Sequence, residues 1–147
     1  MFRFNSFKSF LLVLLQFVTA GYILITDKIV PDNLILLIIF VLSLLPGIYA
    51  ILILKFNFNI APDLKTGAIF VYKGPYRYIR HPMYSTIIIC LICLIINYFT
   101  IIRLIIYLIL FTVLIIKMKF EENILLKEFD DYKDYVLRTK RIIPFIF

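Results

Sequence analysis

The chain has one histidine, His81, in a segment unlike its surroundings: Gly74-Pro75-Tyr76-Arg77-Tyr78-Ile79-Arg80-His81-Pro82-Met83-Tyr84. Glycine followed by proline signals a turn. Pro82 suits the first turn of a helix and biases its predecessor away from helical backbone, so His81 marks the entry to the apolar run that follows. A second polar cluster, Lys117-Met118-Lys119-Phe120-Glu121-Glu122, closes another apolar run. Imidazole, carboxylate, ammonium and phenol groups can move protons or hold a charged ligand. Each residue alone has an ordinary reading, since tyrosine and arginine favour the headgroup region of a membrane and Lys117 can pair with Glu121 one helical turn on. That reading does not explain why a glycine, two prolines and the sole histidine share one short segment.

The elements that must position these residues are four apolar runs, at about 7–26, 34–54, 83–99 and 101–118. A membrane crossing needs about 20 residues, or as few as ~17. The first run is interrupted only by Lys8 and Gln16. It is long for the core of a signal peptide, and no small-residue cleavage site follows it. Pro46-Gly47 predicts a kink in the second run. The third and fourth runs are short and predict a tight hairpin turning near 97–100. At about 1.5 Å per residue, equal arms return Glu121 to the depth of His81. The hairpin thus gathers a histidine, several tyrosines, Lys117 and two glutamates at the mouth of a helical bundle. Glu121 and Glu122 fall on opposite flanks of the Leu125/Phe129 stripe, and spacing alone leaves open which faces inward. Leu125, Phe129, Tyr132 and Val136 recur at helical spacing, which predicts an amphipathic tail helix continuing the fourth run or lying at the interface.

Hydrophobic residues make up 63% of the 147, against roughly 45–50% in soluble domains. A soluble fold this small cannot cover that much apolar surface, which excludes a soluble enzyme, a nucleic-acid-binding domain and a disordered chain. The fold class is therefore an all-α integral membrane protein: one domain over 1–147, about four transmembrane helices, a C-terminal hairpin and an amphipathic tail. The net charge of +7 comes from 16 Lys and Arg against 9 Asp and Glu. Arg3 and Lys8 precede the first run; Lys55, Lys65, Lys73, Arg77 and Arg80 lie between the second and third; Lys117, Lys119, Lys127, Lys133, Arg138, Lys140 and Arg141 end or follow the fourth. Only Lys28 and Arg103 fall on the other side, so the positive-inside rule puts both termini and the middle loop in the cytoplasm. Cys90 and Cys93 form a C-x-x-C inside the third run, where packing is their expected role and no metal site is completed. Asp63 has no serine or histidine partner in a triad-like arrangement.

The segment from Gly74 to Tyr84 resembles the motif of the isoprenylcysteine carboxyl methyltransferase family, which is related to phospholipid methyltransferases. A second matching feature follows in the right order: Glu121, Glu122, Leu125, Phe129, Tyr132, Tyr135, Arg138, Arg141 and Pro144. The resemblance covers roughly 61–147. It implies transfer of a methyl group from S-adenosylmethionine to a lipophilic or lipidated acceptor at the cytoplasmic face. Carried over by residue, it implies that Tyr76, His81, Pro82, Met83, Tyr84 and Glu121 line the cofactor pocket and that Val71 approaches it through its backbone. Lys117 stands where family enzymes are similar in having an arginine that meets the acceptor, and lysine lacks the bidentate fork. After Phe129 the family's glycine is missing, and Asp130-Asp131 leaves the segment one residue shorter.

The residue types suit that chemistry. In-line displacement at a sulfonium needs positioning more than acid–base groups. A carboxylate such as Glu121 can hold the cofactor's ammonium or ribose hydroxyls, and tyrosine faces attract its cationic centre. A carboxylate acceptor needs no base but does need a cation, for which Lys117, Lys119 and Arg80 are candidates. An amine acceptor needs a base, with Glu122 or His81 nearest. Two other readings stand beside this one: a nicotinamide-dependent membrane reductase relative, whose C-terminal hairpin is similar, and a non-enzymatic small membrane protein.

Overall fold

The computed structural model describes residues 7–54 and 71–143. Arg3, Lys55, Lys65, Asp63 and Pro144 lie outside these residues. Among the described residues five α-helices follow in order: α1 (Phe7–Ile25), α2 (Leu34–Leu54), α3 (Pro82–Asn97), α4 (Ile101–Glu128) and α5 (Tyr132–Arg138), with a 3-10 turn at Gly74–Arg77. α1, α2 and α4 are long and apolar enough to cross a membrane, and α3 is a shorter apolar helix. Their outward faces remain strongly apolar, with Phe10, Leu14, Phe17, Ile38, Leu42, Leu45, Ile105 and Leu108 all exposed. A multi-pass membrane protein turns such faces to lipid.

The helices run up and down. α3 packs chiefly on α2, and α4 chiefly on α1. The α2–α3 seam is built from small residues. Gly47 lies so close to Thr86 that a Cβ there would stand 2.5 Å from the threonine Oγ1. The Thr86 hydroxyl donates to the Ser43 carbonyl at 2.7 Å, and Ser43 Oγ meets Cys90 Sγ at 3.0 Å. Cys90 is thus a packing residue of this seam. α2 stays helical across Pro46-Gly47, and the pair's visible consequence is this close approach. Leu91, Leu94 and Ile95 of α3 meet Tyr107, Leu110, Leu114 and Met118 of α4 in the central apolar cluster, with Ile23 of α1.

One end of the bundle is tied by capping and by a buried arginine. Asn33 Oδ1 accepts from the first amides of α2, and the Asn33 amide donates to Asn97 Oδ1 at 2.9 Å. Arg103 sits fully buried in the first turn of α4 and donates to the Ile23 carbonyl at 3.1 Å and the Tyr98 carbonyl at 3.0 Å. It also pairs with Asp27 at 3.4 Å. α4 passes its expected end at 118 and continues to Glu128. At about 42 Å it exceeds a ~30 Å hydrocarbon core, so roughly its first twenty residues suffice to cross. Glu121 and Glu122 lie beyond that stretch. The tail is therefore the end of α4 plus a separate α5, with Phe129–Asp131 between them rather than one continuous helix.

Candidate functional site

At the other end of the bundle, α3 begins where the apolar part of α4 ends. Gly74 takes φ +60°, and a Cβ on it would collide with Ile53 and Tyr49 of α2. Only glycine fits a positive φ with that approach, so the turn seats its following segment against α2. Pro82 then opens α3. His81 caps it with non-helical backbone, and its ring is directed to α4 instead of to the helix amides.

The imidazole bridges both glutamates. Nε2 lies 3.2 Å from Glu122 Oε1 and Nδ1 3.5 Å from Glu121 Oε2. The hairpin arithmetic is thereby met in detail, but the two carboxylates differ sharply. Glu122 is buried and saturated. Arg80 Nε donates to it at 2.8 Å, and Arg141 Nε and Nη2 donate at 3.0 and 2.8 Å. Burial alone raises its pKa, yet the bonds from His81, Arg141 and Arg80 hold this carboxyl well below the usual range. The same contact, chiefly its hydrogen bond to Glu122, raises the Arg141 guanidinium above its ordinary value. Glu121 receives the Tyr84 hydroxyl, and 22% of its side chain stays exposed against 7% for Glu122.

Tyr84 links the pieces. Its ring stacks on His81 with centroids 5.5 Å apart and an interplanar angle of 21°, and the Lys117 ammonium lies 5.3 Å from the ring centre. Lys117 is buried and donates to Gln16 Oε1 of α1 at 2.6 Å. That hydrogen bond crosses to a different helix, and the ammonium also acts by charge on Glu121, the pair that the spacing suggested. Tyr76 is buried, and its hydroxyl points to Met83 Sδ at 3.9 Å. Burial raises the Tyr76 phenol above its ordinary value. Pro82 is buried beside these groups in sequence, and Val71 is half-buried in non-helical backbone before the turn. Val71 takes part in none of the hydrogen bonds just described. Lys119 is exposed on another face of α4, and Arg80 is committed to Glu122 and to the Val136 and Thr139 carbonyls. Of the three cations expected for an acceptor, Lys117 alone stands against the tyrosine and carboxylate.

The tail straps over this cluster. The Arg80 and His81 amides donate to the Lys140 and Arg141 carbonyls at 2.7 and 2.9 Å, and the Lys140 amide donates back to Tyr78 at 3.2 Å. Ser85 Oγ donates to the Ile142 carbonyl at 2.7 Å, and the Tyr135 hydroxyl to the Tyr76 carbonyl at 2.6 Å. Thr139 and Gln16 are participants that residue spacing does not reveal, while Arg80, expected as a cation for the acceptor, and Arg141, named only within the resemblance, instead hold Glu122. The one available signal for Gln16 is that it interrupts an otherwise apolar run.

The sequence model of the phospholipid methyltransferase family matches residues 37–132. That stretch holds most of α2, the turn, α3, α4 and every predicted site residue. Comparisons with curated proteins and with solved structures find no significant match. The matched region is well over half the chain, so this multi-pass membrane protein belongs to the phospholipid methyltransferase family, whose enzymes transfer methyl groups from S-adenosylmethionine.

Proposed function

We propose that the chain methylates an anionic, lipophilic acceptor of the isoprenylcysteine carboxylate type, with Glu121 facing the cofactor and Lys117 facing the acceptor. The observation that carries this reading is Tyr84, whose hydroxyl bonds Glu121 while its ring meets the Lys117 ammonium. A carboxylate suited to a cationic cofactor and an ammonium suited to an anionic acceptor thus flank one aromatic face. The residues fit S-adenosylmethionine by their chemistry. Glu121 is the partly open carboxylate, able to take an ammonium or ribose hydroxyls, while Tyr84, Tyr76 and His81 supply aromatic faces, and Met83 and Pro82 apolar wall. Val71 offers backbone groups. When bound, the cofactor supplies an electrophilic methyl group and a positive charge. Lys117 holds the acceptor's oxygen by charge, and the bundle's apolar wall excludes water that would weaken that attraction.

An ionised carboxylate acceptor needs no base. An amine acceptor does, and His81 and Glu122 are already committed to each other and to Arg80 and Arg141. The skew of Lys and Arg further supports a cytoplasmic site end, with the whole chain acting as one domain.

The test uses the full chain in lipid nanodiscs with methyl-labelled S-adenosylmethionine. N-acetyl-S-farnesyl cysteine and phosphatidylethanolamine serve as parallel acceptors. The expected product is a base-labile methyl ester on the cysteine probe. Label found only as a base-stable N-methyl headgroup would overturn the anionic-acceptor reading in favour of an amine.

A further inference from the structure

Between α2 and the turn at Gly74–Arg77 runs a groove of about 720 Å³. Leu45, Ile48 and Leu52 line its α2 side at helical spacing, and all three are exposed. Tyr49 lines it too, next to the point where Gly74 packs on α2. Arg77 and Tyr78 line the turn side and are exposed as well. From Leu45 to Leu52 the groove follows the helix axis for about 10 Å. Tyr76 precedes Arg77 in the chain but is buried and points to Met83, so it belongs to the site cluster and not to the groove. Neither Glu121, Lys117 nor Tyr84 lines the groove.

We propose that this groove seats an anionic phospholipid of the surrounding leaflet, with an acyl chain along Leu45, Ile48 and Leu52 and the phosphate held by Arg77. The inference is independent of which acceptor the enzyme methylates. Depth supports it. α2 has 21 residues, about the length of one crossing, so its Leu54 end and the turn packed on it lie at the headgroup level. The groove therefore starts among headgroups and descends into the hydrocarbon, as a lipid does. Tyr49 and Tyr78 suit that boundary, where tyrosine is favoured. Charge supports it further. Arg80 is committed to Glu122, whereas Arg77 makes no hydrogen bond or ion pair among the described residues. No acidic side chain lines the groove among those residues, and Lys73 stands at the start of the turn. A guanidinium matches phosphate with two parallel bonds. The ammonium of a zwitterionic headgroup would meet only cations here, which favours a lipid with net negative charge.

The chain contains no tryptophan, so a single introduced indole reports its own lipid neighbours by fluorescence quenching. Tyr49→Trp places the reporter in the groove, and Ile116→Trp places it on an exposed position of α4 near the same end of the bundle. The full chain is reconstituted in phosphatidylcholine nanodiscs, with chain-brominated phosphatidylglycerol or brominated phosphatidylcholine as the quencher. Phosphatidylglycerol has neither amine nor carboxylate, so it is not consumed as either kind of acceptor. Tyr49→Trp is expected to prefer phosphatidylglycerol by about tenfold, the scale of a bond to a charged group, and Ile116→Trp to show almost no preference. Adding Arg77→Gln to Tyr49→Trp should abolish the preference, Arg77→Lys should keep part of it, and Lys119→Gln, which removes an exposed cation elsewhere, should leave it. Several results overturn the inference. Equal quenching by the two lipids at Tyr49→Trp removes the anionic headgroup, and no quenching by either shows that protein and not lipid fills the groove. A matching preference at Ile116→Trp, or an equal loss with Lys119→Gln, reduces the effect to general surface charge. A preference that survives Arg77→Gln, or is lost equally in Arg77→Lys, removes the Arg77 charge as the phosphate's partner.

Discussion

Glu121 and Glu122 are neighbours in the chain with opposite employment. Glu122 accepts from two guanidiniums and faces His81 in a buried pocket. Removing the charge of a buried, paired group costs about 3–5 kcal/mol, and the partial exposure of Arg141 argues for the low end. Glu122→Gln is therefore expected to lower thermal stability in detergent by about 3 kcal/mol. Because its pKa is depressed in the fold, the stabilisation it supplies is present at neutral pH and drains away as pH falls below about 4.5, the ordinary value. Glu121→Gln should leave the melting temperature within a degree or two while weakening S-adenosylmethionine binding about ten- to hundredfold, the scale of a lost bond to a charged ligand. Calorimetric titration paired with melting curves on both variants separates the roles. Loss of stability with intact cofactor binding in Glu121→Gln would reverse the assignment. The sequence made the meeting of His81 with both glutamates legible, because a hairpin's arms are counted in residues. It did not reveal that Glu122 is the saturated one. That depends on Arg80 and Arg141, whose charges read equally well as membrane-interface anchors, and only a folded tail brings Arg141 back.

The same division holds for the elements. The apolar runs fixed α1, α2 and α3 to within two residues at each end, and the start of α4, since a bilayer-length apolar stretch has few other solutions. The end of α4 escapes this reading because its last turns are charged. The Leu125/Phe129/Tyr132/Val136 stripe also proved to be the half-buried or buried face of the tail. Spacing did not show which helices pair most closely. That is decided by small residues, and α3 seats on α2 through Gly47, Ser43, Thr86 and Cys90 rather than chiefly on its hairpin partner. In lipid the helices gain little from hiding apolar surface, so close backbone approach is what holds them together. Gly47→Ala places its Cβ against Thr86 and should cost about 1–3 kcal/mol through overpacking. The double change Gly47→Ala with Thr86→Ala, which removes both the Oγ1 that the new Cβ would meet at 2.5 Å and the methyl at 3.0 Å, should recover part of that loss. Melting curves on the single and double variants check it, and cofactor affinity should follow stability in neither, because the seam lies between α2 and α3 and outside the Glu121 cluster. An undiminished melting temperature in Gly47→Ala would show that the seam is looser than these distances make it.

At the scale of the whole molecule, the chain is an asymmetric object: a site end crowded with cations and a far end held by Asp27, Asn33, Asn97 and the buried Arg103. Among the described residues of the far-end loop, Lys28 is paired with Asp32 at 2.8 Å, and Arg103 is folded into α4. Cytoplasmic loops collect Lys and Arg because these residues resist translocation, whereas Asp and Glu have little influence. The bias therefore comes from the site-end cations themselves, Lys73, Arg77, Arg80, Lys119, Lys127, Lys133 and Lys140 among them. It predicts one orientation, with α5 and the strap in the cytoplasm and the Lys28–Asp32 loop outside. Orientation also decides which pools the enzyme draws on, because S-adenosylmethionine is a charged metabolite that does not cross lipid unaided. Single cysteines at exposed positions test it in a Cys90→Ser, Cys93→Ser background, which removes the two buried thiols. Lys133→Cys is expected to react with an impermeant maleimide only after the membrane is opened from the cytoplasmic side, and Asp32→Cys to react from the opposite face of intact cells. The reverse pattern, or equal labelling of both cysteines from one face, would put the site on the wrong side of the membrane for its cofactor and sink this layout.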